Sequence, residues 1–318
     1  MSIPLVSVIL RTKNRPDFLR ESLNSAIEQT MTEREVLVIN DGGEDVSEII
    51  RHLDIVGAVR YFHEKESIGR CAAANLGLRE ARGKYISYLD DDDLYYPDHL
   101  EGVVGALEEG DYQVAYSDAY CASQRLDPRT GKYEVYDRRI LLSHDFDPVR
   151  LFSECFIHLS TFMHEKACTD RLGGFDEELS VLEDLDLFFR LSQDYPFLHV
   201  KKVSAEYRLR EGAPGLASED EAKGTMEAEL AARSGKSLPQ EKGQVETDAR
   251  NAIALYREEF ARTREVLFRK YQHIVLPTLV QRIREQGDEL IRLGQRCEAL
   301  EKQIGESTTK PRRKGLFR

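Results

Sequence analysis

Four consecutive aspartates, Asp90–Asp93, close the apolar run Tyr85–Leu89. Adjacent carboxylates repel one another and suit a strand poorly, so such a run is tolerable where a cation neutralises it. Oxygen donors of this kind suit a hard divalent ion, Mg²⁺ or Mn²⁺, which would bridge to the phosphates of a substrate. A charged loop leading into a helix near Pro97 would have the same composition. A second acidic group, Glu183-Asp184-Leu185-Asp186, opens the helical pattern that continues Leu187-Phe188-Phe189-Arg190. A carboxylate there serves either as a helix cap or, if it faces a cleft, as an acceptor for the proton of an attacking hydroxyl. Asp41, in Asn40-Asp41-Gly42-Gly43, occupies an ordinary turn sequence and is equally ambiguous from its spacing.

These residues need elements that bring them together. Apolar runs at Leu5–Leu10, Val36–Ile39, Val59–Phe62 and Tyr85–Leu89 read as strands. Between them lie helical patterns, one after Asn14-Arg15-Pro16 with Phe18, Leu19, Leu23, Ala26 and Ile27 at helical spacing, another over Gly69–Arg82. Alternation of this kind predicts an α/β domain with a mostly parallel sheet covered on both faces. Ligands of such sheets sit at the carboxyl ends of the strands, which here carry Thr12–Asn14, Asn40–Gly43 and Asp90–Asp93.

After Tyr112–Tyr116 the pattern is irregular through Asp147, with a hairpin-like piece at Thr130-Gly131-Lys132. A second ordered block follows: Phe162–His164, the turn Gly173-Gly174-Phe175, a helix over Asp184–Leu191 and a strand near Leu198–Val203. The organisation predicted is a catalytic domain over 1–210, a linker or lid over 211–244, a helical extension over 245–306 and a basic tail over 307–318. In the extension, Leu276, Leu279, Ile283, Leu290, Leu293, Cys297, Leu300 and Ile304 fit a heptad broken only at Gln286. The heptad reads either as a coiled coil that self-associates or as an amphipathic helix lying on the catalytic domain. The tail, Lys310–Arg318, reads either as a solvated disordered end or as a contact with a membrane surface.

Composition narrows the function classes. A net charge of −12 argues against a nucleic-acid binder, whose partner attracts Lys and Arg. Five scattered cysteines with no C-x-x-C pair suggest neither a disulfide framework nor a zinc site. No apolar run reaches the roughly 18–20 residues of a membrane span. The expectation is a cytoplasmic protein, able at most to touch the inner face of the membrane.

Taken in order, the motifs resemble family 2 of the GT-A glycosyltransferases, over about residues 6–210. The series runs Val6-Ser7-Val8-Ile9-Leu10-Arg11-Thr12-Lys13-Asn14-Arg15-Pro16, Val38-Ile39-Asn40-Asp41-Gly42, Ile68-Gly69 with Ala74-Asn75-Leu76-Gly77, Gly83-Lys84-Tyr85-Ile86, Asp90–Asp93, Gly173-Gly174-Phe175-Asp176-Glu177 and Glu183-Asp184. Each motif is weak alone, and their order is specific. The resemblance implies a GT-A fold, Rossmann-like with a mostly parallel sheet flanked by helices, carrying here a C-terminal helical or coiled-coil extension. It implies an inverting enzyme that moves a sugar from a nucleotide sugar, UDP-linked in the commonest case, to the hydroxyl of a glycan, lipid-linked or other acceptor. By the same resemblance Asp41 recognises the nucleotide base with Thr12 beside it, Asp92 is the principal Mn²⁺ or Mg²⁺ ligand, Asp90 or Asp91 contacts the ribose, Arg70 touches the donor, and Asp184 is the catalytic base.

The chain departs from that pattern in the opening turn and after Tyr207-Arg208. Arg11 and Lys13 replace a common Pro and Tyr, which is expected to change the cleft wall. No His follows Tyr207-Arg208, so a metal or diphosphate contact is missing unless Arg208 or Arg210 serves electrostatically. His158 and His164 stand where they could line an acceptor pocket, or are structural. Other classes fit less well. An aspartyl phosphotransferase wants Thr or Val after its D-x-D pair, where Leu94-Tyr95-Tyr96-Pro97 stands here; a sugar nucleotidyltransferase wants a Gly-rich loop after the first strand, where Arg11–Pro16 has no glycine. A non-catalytic scaffold displaying a coiled coil would not need Asp41, Asp92 and Asp184.

Overall fold

The computed structural model describes residues 3–54, 57–140, 143–210, 258–286 and 292. Residues divide into two compact units, Met1–Lys270 and Tyr271–Arg318. The predicted linker over 211–244, the heptad from Leu290 onward and the tail over 307–318 lie outside the described residues.

The first unit begins with the alternation predicted. β1 (Val6–Thr12), α1 (Pro16–Ile27), β2 (Arg34–Asn40), α2 (Ser47–Leu53), β3 (Val59–His63), α3 (Arg70–Glu80) and β4 (Tyr85–Asp90) follow in order. β3, β2, β1 and β4 are neighbours, all parallel. β1 and β2 are buried along nearly their whole length, as parallel strands covered on both faces must be. Val8 and Leu10 join Leu19, Leu23 and Ala26 of α1 in one core layer. On the other face α3 comes so close that a Cβ on Gly77 would lie 2.5 Å from Ile9.

The rest of the sheet is mixed. It continues through β5 (Leu94–Tyr95), α4 (His99–Glu109), β6 (Val114–Asp127), β7 (Lys132–Arg139), α5 (Pro148–Glu154), β8 (Phe162–Glu165), α6 (Lys166–Leu172), α7 (Glu183–Ser192) and β9 (Phe197–Arg210). The strand order is β3-β2-β1-β4-β8-β6-β9-β5, with β7 on β6. β8 is antiparallel to both β4 and β6, whereas β6 and β9 run parallel.

The stretch read as irregular after Tyr116 is in fact one long strand and a hairpin. Polar side chains hid it: Ser117, Asp118 and Gln124 are buried in β6, and the outer strand β7 alternates without a continuous apolar face. Residues 258–270 of the first unit are helical, as are 271–286 of the second. Among the described residues no helix is long and apolar enough to cross a membrane.

Two of the motifs meet in space through a single side chain. Asn75 of α3 donates to the Phe175 carbonyl at 2.9 Å and accepts from the Phe175 amide at 2.8 Å. A Cβ on Gly174 would collide with Asn75 Oδ1, which requires glycine at that position of the turn. Similarly Gly42 has φ +70 and lies against the backbone of Glu66 and Ser67, within 2.5 Å of where a Cβ would be.

Candidate active site

The carboxyl ends of β1, β2 and β4 converge, as the topology demands. Thr12, at the end of β1, donates to Asp91 Oδ2 at 2.8 Å. Asp41, just past β2, accepts from Ser67 Oγ at 2.8 Å and from the Ile68 and Gly69 amides at 2.6 and 3.1 Å. It thereby fixes the loop that delivers Arg70 as the first residue of α3.

The four aspartates after β4 face different surroundings. Asp90 is a third exposed (33%) and pairs with Arg11 at 2.7 Å. Burial alone would raise its pKa, but the guanidiniums of Arg11 and Arg70 outweigh it and hold the carboxyl at about 2. Asp91 is only 1% exposed and pairs with Arg15 at 3.1 Å; burial pushes it up to about 7. Asp92 is 19% exposed, and its Oδ2 receives Arg15 Nη1 and Arg210 Nη2, each at 2.7 Å. Asp93 turns inward, accepting from Ser160 Oγ and from the Arg208 amide. It serves the fold, and burial raises its pKa well above the ordinary value. None of the four caps the helix after Pro97, since α4 begins at His99 behind Asp98.

The second acidic group lies at the start of α7. The residue before the helix, Leu182, adopts the left-handed conformation (φ 58, ψ 25) and makes no side-chain cap. This is an uncommon backbone for a bulky residue, and it presents Glu183 and Asp184 from the first turn. Glu183 is buried between Arg70 at 2.9 Å and Arg11 at 3.5 Å. Asp184 is half-buried and accepts from the Leu185 amide at 2.7 Å. Its pKa is raised to about 6, first by burial and then by Glu183. Asp186 is buried and structural, paired with Arg190 and Lys270 at 2.7 Å each.

Thr12, Asp91 and Asp92 therefore fall in one network through Arg15, and Asp90 and Arg70 in an adjoining one through Arg11 and Glu183, with Asp41 fixing the loop before Arg70 and Asp184 beside Glu183. Sequence reasoning missed three members, Arg11, Arg15 and Glu183. Arg11 carried a signal: an arginine inside an otherwise apolar strand end has to be paired with acid once buried.

The missing histidine is answered in part by Arg210, which reaches the acidic run, whereas Arg208 pairs with Glu21 and Glu206. His158 stacks on Tyr207 with ring centroids 3.7 Å apart; burial pushes it down to about 4, so it is neutral at physiological pH. His164 is buried and bonded to the Tyr88 hydroxyl at 2.8 Å, a structural histidine.

Among the described residues no group of three or more His, Cys, Asp or Glu side chains is arranged to hold a metal by itself. A Mg²⁺ or Mn²⁺ ion that draws its other ligands from phosphate and water needs only one or two protein carboxylates. Asp92 and Asp90, both partly exposed, fit that requirement; buried Asp91 does not.

Known proteins resemble this chain in sequence and in fold. An uncharacterised glycosyltransferase of Rickettsia typhi is 31% identical over 208 residues, which cover 65% of this chain and 62% of the relative. The chain thus spans under two thirds of that relative's length. Among solved structures, S. aureus TarS in complex with UDP-GlcNAc superposes with a TM-score of 0.55 at 19% identity, over 86% of this chain and 79% of TarS. The mannosyltransferase PcManGT from Pyrobaculum calidifontis, in complex with GDP-Man and Mn²⁺, gives 0.50 at 16% identity, over 91% and 81%. At such identities the two structures establish the shared fold. The sequence profile of glycosyl transferase family 2 matches residues 7–166, half of the 318-residue chain, and the protein belongs to that family of enzymes.

Proposed function

We propose that this chain is an inverting transferase that moves a sugar from a nucleoside-diphosphate sugar to an acceptor hydroxyl by single displacement. The observation that carries the reading is the state of Asp184. It is not the cap of α7, and its surroundings raise its pKa to about 6. A general base works best when its pKa approaches the working pH, and a carboxylate in that condition, next to a Glu183 held by Arg70 and Arg11, suits proton abstraction from a hydroxyl.

The remaining residues hold the donor. Asp41 meets the nucleotide base, Asp90 the ribose, and Arg70 at the head of α3 the donor's charged part. Thr12 keeps Asp91 inward. Asp92 is the ligand for a divalent cation, which when bound would neutralise charge on the departing diphosphate. The base lies on α7 and the cation ligand after β4, a separation that suits attack from the face opposite the leaving group. A UDP-sugar donor is the first to test, since the fold is shared with a protein that binds UDP-GlcNAc. The acceptor belongs to the glycan or lipid-linked class.

The test is a screen of nucleotide sugars for Mn²⁺-dependent hydrolysis and transfer, with the product anomer read by NMR. Inversion at the anomeric carbon is expected. Retention of configuration, or no turnover of any UDP- or GDP-sugar by folded protein, contradicts the proposal.

A further inference from the structure

Asp92 Oδ2 is approached from two sides by guanidinium groups that come from distant parts of the chain. Arg15 lies in the turn before α1, and its other nitrogen reaches Asp91 at 3.1 Å. Arg210 is the last residue of β9; its guanidinium stands over the Phe18 ring, 4.5 Å from the centroid. Each places an Nη atom 2.7 Å from the same oxygen. One carboxylate oxygen offers about two lone-pair sites, so both sites of Oδ2 are engaged. A divalent cation coming to Asp92 meets two fixed positive charges within a hydrogen bond's length of its own ligand. A diphosphate coming to the same place meets two planar guanidiniums, the groups best matched to phosphate oxygens.

From this geometry we infer that Arg15 and Arg210 hold Asp92 in the free protein and pass to the donor's diphosphate on binding, releasing Asp92 to the cation. The inference rests on the proposed function, because it takes Asp92 as the cation ligand and a nucleoside diphosphate as the donor's anchor. Two consequences follow. Cation and nucleotide each bind weakly alone and strengthen one another, and by linkage the strengthening is reciprocal. Removing either arginine acts with opposite signs on the two ligands.

Calorimetry on the full chain tests this, using MnCl₂ alone, UDP or GDP alone in EDTA, and each nucleotide with MnCl₂. For Arg210→Gln, Mn²⁺ alone should bind roughly 3- to 10-fold tighter and the nucleotide alone weaker by a similar factor, the net scale of one ordinary hydrogen bond. The mutual strengthening should shrink. Arg15→Gln should shift both affinities in the same directions, and because Arg15 is half-exposed this variant carries the test if Arg210→Gln does not fold. Arg210→Lys, which keeps the charge without the planar fork, should fall between wild type and Arg210→Gln. A merely structural arginine would weaken both ligands together; that result, or an unchanged Mn²⁺ affinity in both glutamine variants, overturns the inference. A wild-type protein that binds neither UDP nor GDP under any condition overturns the nucleotide-sugar reading itself.

Discussion

Arg11 reaches Asp90 with Nη2 at 2.7 Å and Glu183 with Nη1 at 3.5 Å. One guanidinium therefore joins the acidic run after β4 to the acidic pair that opens α7, although the two lie some ninety positions apart in sequence. Its own pKa is raised, because the two carboxylates outweigh the effect of burial. The link fixes the acidic run after β4 in register with the start of α7.

Arg11→Gln is expected to leave Asp90 and buried Glu183 short of a cation. Breaking one side of a buried ion pair costs roughly 3–5 kcal/mol, and Arg70, 51% exposed, compensates Glu183 only in part. Adding Glu183→Gln should recover some of that loss, so the double variant should melt above the sum of the singles in chemical denaturation. Strict additivity would mean the two residues do not act as a pair.

With Asp184 as the proposed base, its titration is expected to set the acid limb of the pH profile. Its carboxyl is protonated below about 6, so kcat should fall as pH drops through that value. The stability effect runs with it. A carboxyl whose pKa is raised on folding favours the native state most at low pH, and that favour is lost as pH rises from its unfolded value to about 6. Asp184→Asn should therefore be at least as stable as wild type at pH 7–8, and no more stable near pH 4. His158, whose pKa burial lowers to about 4, stays neutral above that value and adds no step to kcat there; its effect on stability has the opposite sign, present at pH 7 and lost as pH falls from about 6.5 toward 4.

Asp92→Asn should abolish the Mn²⁺ dependence of nucleotide binding while leaving the fold intact, since Asp92, like Asp90, is partly exposed. Calorimetry with UDP, with and without MnCl₂, reads this directly; an Mn²⁺ enhancement equal to that of wild type would remove Asp92 as the ligand.

In the second unit Leu276, Leu279, Val280 and Ile283 are exposed on the helix, three of them on the heptad series. Leu279→Glu with Ile283→Glu is expected to convert an oligomer to a monomer in light scattering. A wild-type chain already monomeric at micromolar concentration leaves the heptad without that role.

The sequence exposed the parallel half of the fold because β1, β2, β3 and β4 are short apolar runs between helical repeats, and the motif order located their carboxyl ends. β6 and β7 were hidden because buried polar side chains such as Asp118 and Gln124 break the apolar pattern. The acidic residues were legible as types; their distinctions were not. Nothing in four successive aspartates says that Asp91 and Asp93 turn inward, or that Arg15 and Arg210 meet at Asp92. Those facts depend on which strands become neighbours. The cap question at α7 was likewise open until Leu182, not Asp184, proved to occupy the cap position.

The most direct test of the account is the turnover of Asp184→Asn alongside its donor affinity. An amide keeps the shape of the side chain and still accepts a hydrogen bond from the Leu185 amide, but cannot take a proton at neutral pH. Loss of a general base typically lowers the rate about 10²–10⁴-fold. Asp184→Asn is expected to show a kcat reduced on that scale, loss of the acid limb near pH 6, and a UDP–Mn²⁺ affinity within about twofold of wild type, since Asp41, Asp90 and Asp92 are untouched. A folded Asp184→Asn protein with near-normal turnover would contradict it and move the base to another group in the cleft.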